Sequence, residues 1–190
     1  MRLILASASP RRAELLKAAG FAFEVRPVDV DERLRENESP ADYVCRLASE
    51  KARALAHDAR PDVVILGADT TVVVDGRILG KPRDDDEARA MLELLSGRPH
   101  EVITGVSLWS PSEELVGMDT TTVWFRPLSW TEIARYVATG ECRDKAGAYA
   151  IQGRASRFVP RISGSYANVV GLPIAMVSDL LGRLKREEPD

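Results

Sequence analysis

Five short segments of this sequence hold residue types that can bind an anion or move a proton. The first is Ser7-Ala8-Ser9-Pro10-Arg11-Arg12, which reads as a strand-to-helix turn whose helix begins with two arginines. Cations in a first helical turn oppose the helix dipole, each by about 0.3–1 kcal/mol near the surface, and an anion held there reverses that sign. Backbone N–H groups, serine hydroxyls and two guanidiniums together suit a phosphate; the same arginine pair also suits a solvated surface helix. The second segment is Gly67-Ala68-Asp69-Thr70-Thr71, where a carboxylate interrupts an apolar stretch from Val63 to Val74. Aspartate is a poor strand residue. Asp69 is therefore expected either to project into a cleft from a sheet edge, ready to bind a metal or accept a proton, or to make an ordinary Asx turn.

The third segment, Gly80-Lys81-Pro82-Arg83, is a basic tip just after a hairpin signal. It lacks the Gly-rich lead-in and the following Ser/Thr of a P-loop. The fourth, Asp31-Glu32, is either a second set of metal oxygens or a charged loop. The fifth runs from Asp144 to Gly153 and resumes from Ser163 to Pro173. Its small residues permit close backbone approach, and Gln152 carries a donor and an acceptor in one amide, the equipment for reading a base edge and also the makeup of a common loop. Other templates fail on inventory. His57 and His100 are the only histidines, and neither G-x-S-x-G nor G-x-G-x-x-G occurs, so a Ser-His-Asp hydrolase and a dinucleotide site have little support. Cys45 and Cys142 combine with these histidines in no zinc-binding spacing.

The elements that must position these segments follow from local signals. Leu3 to Ala6 reads as a short buried strand. Pro10 to Ala19 reads as a helix with Ser9 at its N-cap and Gly20 as its stop, and Phe21 to Val30 as extended. A second helix is expected from Pro40 to His57, capped by Ser39, with Tyr43, Val44, Leu47, Ala48, Ala52 and Leu55 on its apolar face. Val63–Gly67 and Thr70–Val74 read as two strands, and Asp75-Gly76 as a hairpin turn into Arg77 to Leu79. Asp85 to Leu95 is a third helix closed by Ser96-Gly97. Glu101 to Trp109 and Leu115 to Phe125 form a long antiparallel pair. Ser129-Trp130-Thr131-Glu132 is a capping box for a helix ending at Gly140. Glu141 to Pro173 is a long loop system or a set of short strands, Pro173 opens a last helix to about Lys185, and Glu187 to Asp190 should fray. Helices interleaved with strands and hairpins predict an α/β fold with a mixed sheet.

In order and spacing these motifs resemble the Maf family of nucleoside triphosphate pyrophosphatases. The likeness rests on Leu5 to Arg12, Glu50-Lys51-Ala52, Gly67 to Thr70, Gly80 to Pro82, Asp144 to Gly153 and Gly164 to Pro173, and it covers nearly the whole chain. The resemblance implies one elongated α/β domain over residues 1–190, with a mixed sheet, flanking helices and two lobes around a cleft, similar to the inosine-triphosphate pyrophosphatases and often dimeric. It implies hydrolysis of a nucleoside triphosphate to the monophosphate and pyrophosphate with a divalent metal, Mg or Mn. Asp69 then aligns with the proton acceptor and a metal ligand, and Glu32 with a further acidic residue at the metal. Ser7, Arg11, Lys51 and Lys81 align with phosphate ligands, and Arg12, Thr70 and Gln152 with substrate choice. Thr70 and Gln152 resemble the branch acting on dTTP and UTP, with modified pyrimidine nucleotides a further class, rather than the 7-methyl-GTP branch. The role implied is house-cleaning of the nucleotide pool, and the competing roles are a nucleotide-sensing regulator of septum formation and cell division, or a 7-methyl-GTP pyrophosphatase.

Composition narrows the setting. A chain of 190 residues suits one domain or two lobes on a shared sheet. Its 26 Lys+Arg against 29 Asp+Glu give a net charge of -3, so no overall field draws it to nucleic acid or an anionic membrane. No apolar run approaches the ~20 residues that span a bilayer, and the first residues lack the length of a signal-peptide core. A cytoplasmic protein is the expectation, and the family resemblance adds a small nucleotide as its partner and a homodimer.

Overall fold

In the computed structural model, which describes residues 1–58 and 60–186, the apolar runs become strands of a seven-stranded sheet. The strands are β1 (Arg2–Leu5), β2 (Phe23–Val25), β3 (Val63–Val74), β4 (Arg77–Leu79), β5 (Pro99–Trp109), β6 (Glu114–Trp124) and β7 (Arg161–Ser163). Their order is β2-β1-β3-β5-β6-β7, with β4 also paired to β3. β1 runs parallel to β2 and β3, whereas β4 is antiparallel to β3 and β7 to β6, which makes the sheet mixed as expected. The helices are α1 (Pro10–Ala18), α2 (Pro40–Arg53), α3 (Asp85–Leu95), α4 (Trp130–Val137), α5 (Tyr166–Val170) and α6 (Ile174–Arg186).

Local chemistry explains most boundaries. Asp75 and Gly76 both adopt positive φ, 49° and 74°, as a two-residue turn between right-twisted strands demands, and Gly76 does so without a side-chain penalty. The Ser129 side chain accepts from Glu132 N–H while the Glu132 carboxylate accepts from Ser129 N–H, so the capping box forms. Asp84 caps α3 by accepting from Glu87 N–H.

Four expectations are corrected. Val63–Gly67 and Thr70–Val74 are one continuous strand, so Asp69 sits inside β3 and not in a turn between strands. The extended segment from Phe21 narrows to three residues, Phe23–Val25. α2 ends at Arg53 and is followed by a 3₁₀ turn over Ala56–Asp58. The stretch from Glu141 to Pro173 folds as 3₁₀ turns at Ala146–Ala148 and Arg154–Phe158, with β7 and α5. The frayed tail expected over 187–190 lies outside the described residues.

The chain divides into two compact units: Met1–Asp69 with Thr104–Asp119 and Gly171–Asp190, and Thr70–Ile103 with Thr120–Val170. In the first unit β1 and β3 are buried on both faces. Leu3, Leu5, Val64, Leu66 and Ala68 pack with Leu16 of α1 and Val177, Leu180 and Leu181 of α6. Ile4, Ala6, Val63 and Ile65 pack with Ala52 of α2. A strand covered on both faces loses polar alternation, which is why these segments read as unbroken apolar runs. α2 lies directly on two strands of this unit. A Cβ on Gly67 would fall 2.0 Å from the Ala48 carbonyl oxygen, and one on Gly105 2.3 Å from that of Val44, so only glycine admits the helix backbone so closely.

The second unit is built around edge-to-face rings of His100, Phe125, Tyr136, Tyr149 and Phe158. His100 is 3% exposed and its Nε2 lies 2.8 Å from the Tyr149 hydroxyl. Burial pushes the imidazole down to about 4, so it is neutral and structural at pH 7.

Candidate active site

The first unit brings together three of the charged residues singled out from sequence, two carboxylates around one ammonium. Lys51 comes from the buried face of α2, Asp69 from β3 and Glu32 from the loop between β2 and α2. Lys51 Nζ donates to Asp69 Oδ1 at 2.6 Å and to Glu32 Oε1 at 2.7 Å. Lys51 and Asp69 are each 8% exposed, and a charge that far from water persists only with a partner of opposite sign. Asp69 is therefore tolerated inside a strand because a specific cation faces it. It also lies between the part of β3 paired with β1, up to Leu66, and the part paired with β4, from Val72.

The turn after β1 carries a second cluster. Ser7, 5% exposed, accepts from Ser9 N–H at 3.2 Å and from Arg12 Nη1 at 3.1 Å. Ser9 occupies the N-cap with extended φ and ψ but makes no side-chain cap bond, and Pro10 follows at the first helical position. Arg12 is buried and its Nε donates to the Gly171 carbonyl at 2.8 Å, tying α1 to the start of the C-terminal segment. Burial lowers the pKa of its guanidinium, while the Asp69 and Glu32 carboxylates act in the opposite sense. Arg11 is half-buried on the same turn.

Two residues that sequence reasoning passed over fix the loop bearing Glu32. Tyr43, read there as part of an apolar face, donates its hydroxyl to the Glu32 carbonyl at 2.9 Å. Burial first, then Asp69 and Glu32, push its phenol up to about 12, so it stays a donor. Arg46 donates to the Arg33 carbonyl at 3.2 Å and to both oxygens of Glu38, whose carboxyl it holds down at about 2. Their spacing of three along α2 places both on one face, and that was the available signal.

Thr70, Lys81 and Gln152 belong to the second unit. Thr70 follows Asp69 in β3 and is half-buried; Lys81 and Gln152 are exposed, in the loop after β4 and in the turn before the Arg154–Phe158 helix.

Glu32 and Asp69 present hard oxygens that converge on Lys51 Nζ, so a Mg or Mn held by this pair would take the place of the ammonium; such a cation takes one or two carboxylates, with its remaining positions filled by water and substrate phosphate. Among the described residues no group of three or more His, Cys, Asp or Glu forms a metal cage. The pair therefore fits a cation that shares its shell with a bound polyphosphate, not a closed structural site. Chemically the cluster offers a positioned carboxylate, a neighbouring ammonium and buried guanidinium, which suits proton removal beside a polyanion.

Comparison with known proteins adds to this geometry. The family described as Maf-like protein matches residues 2–184. A dTTP/UTP pyrophosphatase of Symbiobacterium thermophilum is 54% identical over 180 residues, covering 95% of this chain and 92% of that protein. One from Anaeromyxobacter dehalogenans is 53% identical over 186 residues, covering 96% and 93%. Among solved structures, the Staphylococcus aureus Ham1 protein superposes with a TM-score of 0.54 at 15% identity, covering 96% of this chain and 98% of that one, a likeness of fold.

Proposed function

Because the chain belongs to the Maf-like protein family, we propose that it is a nucleoside triphosphate pyrophosphatase that hydrolyses dTTP and UTP to the monophosphate and pyrophosphate. The observation that carries the reading is the convergence of Asp69 and Glu32 on Lys51 Nζ, at 2.6 and 2.7 Å. Asp69 takes the proton of the attacking water, the anhydride bond between the α and β phosphates breaks, and pyrophosphate leaves. Lys51, paired with Asp69 in the free site, is assigned to a phosphate oxygen of the bound substrate. Ser7 and Arg11 bind phosphate at the start of α1, where the positive end of the helix favours an anion. Lys81 is assigned to phosphate as well, and Arg12, Thr70 and Gln152 to the choice of nucleotide.

Glu32 and Asp69 would hold a divalent cation, Mg or Mn, which when bound neutralises phosphate charge. A homodimer in the cytoplasm that clears unwanted pyrimidine nucleotides completes the reading. Among the described residues no helix is long and apolar enough to cross a membrane. The test is a panel of nucleoside triphosphates with pyrophosphate release measured in magnesium and in manganese. Release from dTTP and UTP well above that from purine triphosphates is expected. Orthophosphate as the first product, or a preference for 7-methyl-GTP, would overturn the assignment, and binding of nucleotide without turnover would favour a sensor.

A further inference from the structure

The turn that carries Gln152 is held at both ends by one pair of side chains, and we infer that this pair, Tyr136 and Glu141, positions Gln152 and so sets base selectivity. The inference rests on the reading of Gln152 as a residue that meets the base. Tyr136 projects from α4, is 2% exposed and packs edge-on against Phe158 with ring centroids 5.3 Å apart. Its hydroxyl accepts from Ala150 N–H at 3.1 Å and donates to Glu141 Oε1 at 2.9 Å. The Glu141 carboxylate also accepts from Arg154 N–H, at 3.0 Å through Oε1 and 3.1 Å through Oε2. Gly153 N–H closes the turn on the Ala150 carbonyl at 3.0 Å. The carboxylate fills the space against the turn, since a Cβ on Gly153 would fall 2.3 Å from Oε1 and 2.5 Å from Oε2. Ala150, Gly153 and Arg154 are each tethered through their N–H groups, while Gln152 itself is exposed.

Selectivity needs this tether for a chemical reason. Uracil and thymine offer a carbonyl acceptor beside an N3–H donor, and cytosine offers the reverse. A glutamine amide turned by half a revolution satisfies either edge, so its identity alone does not separate the two. Separation requires that the backbone beneath the amide stay in one place. Charge-assisted bonds from a carboxylate to backbone N–H groups are roughly twice as strong as neutral ones, which makes Glu141 suited to that task.

The test compares kcat/KM for dTTP with that for dCTP in the wild type, Glu141→Ala, Gly153→Ala, their double variant and Gln152→Ala. Gly153 has a φ of -101°, so alanine adds no left-handed strain there and acts by displacing the carboxylate. Each single variant of the tether is expected to lower the dTTP-to-dCTP ratio about 3- to 10-fold, the effect of one misplaced hydrogen bond, chiefly through KM for dTTP. Gly153→Ala should add nothing once Glu141 is alanine, because the group it displaces is gone. Amide exchange at Ala150 and Arg154 should quicken in both. If Gln152→Ala changes the ratio but the tether variants do not, the positioning role is wrong; if Gln152→Ala leaves the ratio intact, the reading of Gln152 itself fails. A uniform drop in kcat on both nucleotides with the ratio kept would show mere structural support and would overturn the inference. Should Glu141→Ala fail to fold, Gly153→Ala carries the comparison.

Discussion

Replacing Gly67 by alanine tests whether the close approach of α2 to β3 builds the cluster around Lys51. The new Cβ would meet two backbone atoms of α2, the Ala48 oxygen at 2.0 Å and the Ala52 nitrogen at 2.7 Å. Ordinary contact begins at 3.4 Å, so the helix must retreat by the difference, 1.4 Å. Neither obstacle is a flexible side chain that could swing aside. Overpacking of this kind costs about 1–3 kcal/mol, and a backbone obstacle puts the cost near the upper end. For a chain of this size that lowers the melting temperature by roughly 6–12 °C. Lys51 lies between Ala48 and Ala52 on the moving helix, so its 2.6 Å bond to Asp69 is stretched together with the contact to Glu32. A displacement of about 1 Å near reacting groups can cost 10²-fold, and a loss of that order in kcat/KM is expected. Gly182 in α6 is the control: a Cβ there meets no heavy atom within 4 Å, and alanine in a helix interior should stabilise by up to about 1 kcal/mol with activity kept. Circular dichroism melts and pyrophosphate release report both quantities. Gly67→Ala that melts and turns over like the wild type would show that the approach of α2 does not organise the cluster.

Three further outcomes are expected. Asp69→Asn is nearly isosteric, so melts should show a folded protein while turnover at saturating metal falls about 10²–10⁴-fold, and wild-type rates would exclude Asp69 as the base. His100, held down at about 4 by burial, binds its proton more weakly in the folded chain than in the unfolded one, where the value is 6.5. Its neutral state therefore contributes stability that is complete above pH 6.5 and is lost as the pH falls toward 4, by an amount on the order of 3 kcal/mol, and His100→Phe should flatten that limb in urea titrations across pH. Arg11→Ala and Lys81→Ala should each shrink the rise in melting temperature produced by a non-hydrolysable dTTP analogue, and shifts equal to that of the wild type would place the phosphate elsewhere.

Features that depend on a few neighbouring residues are legible in the chain alone. The Asp75-Gly76 turn, the Ser129 and Glu132 capping box and the span of α3 were legible because their hydrogen bonds close within four residues. The chemical types at the site were legible for the same reason: Ser7, Arg11, Arg12, Lys51 and Asp69 stand in short motifs whose order resembles a known family. Tertiary structure decided the rest. Asp69 looks like a strand breaker in the sequence, and the facing ammonium of Lys51, 18 residues away in the chain, makes a buried carboxylate tolerable within β3. Tyr43 looked like a core residue, yet its hydroxyl anchors the loop of Glu32, a bond that hydrophobic periodicity does not register. Gly67 and Gly105 are set apart by what lies above them, the α2 backbone, and the bare sequence holds no record of that distance. Packing against distant segments sets these features, and propensity, which sums neighbouring preferences, has no access to it.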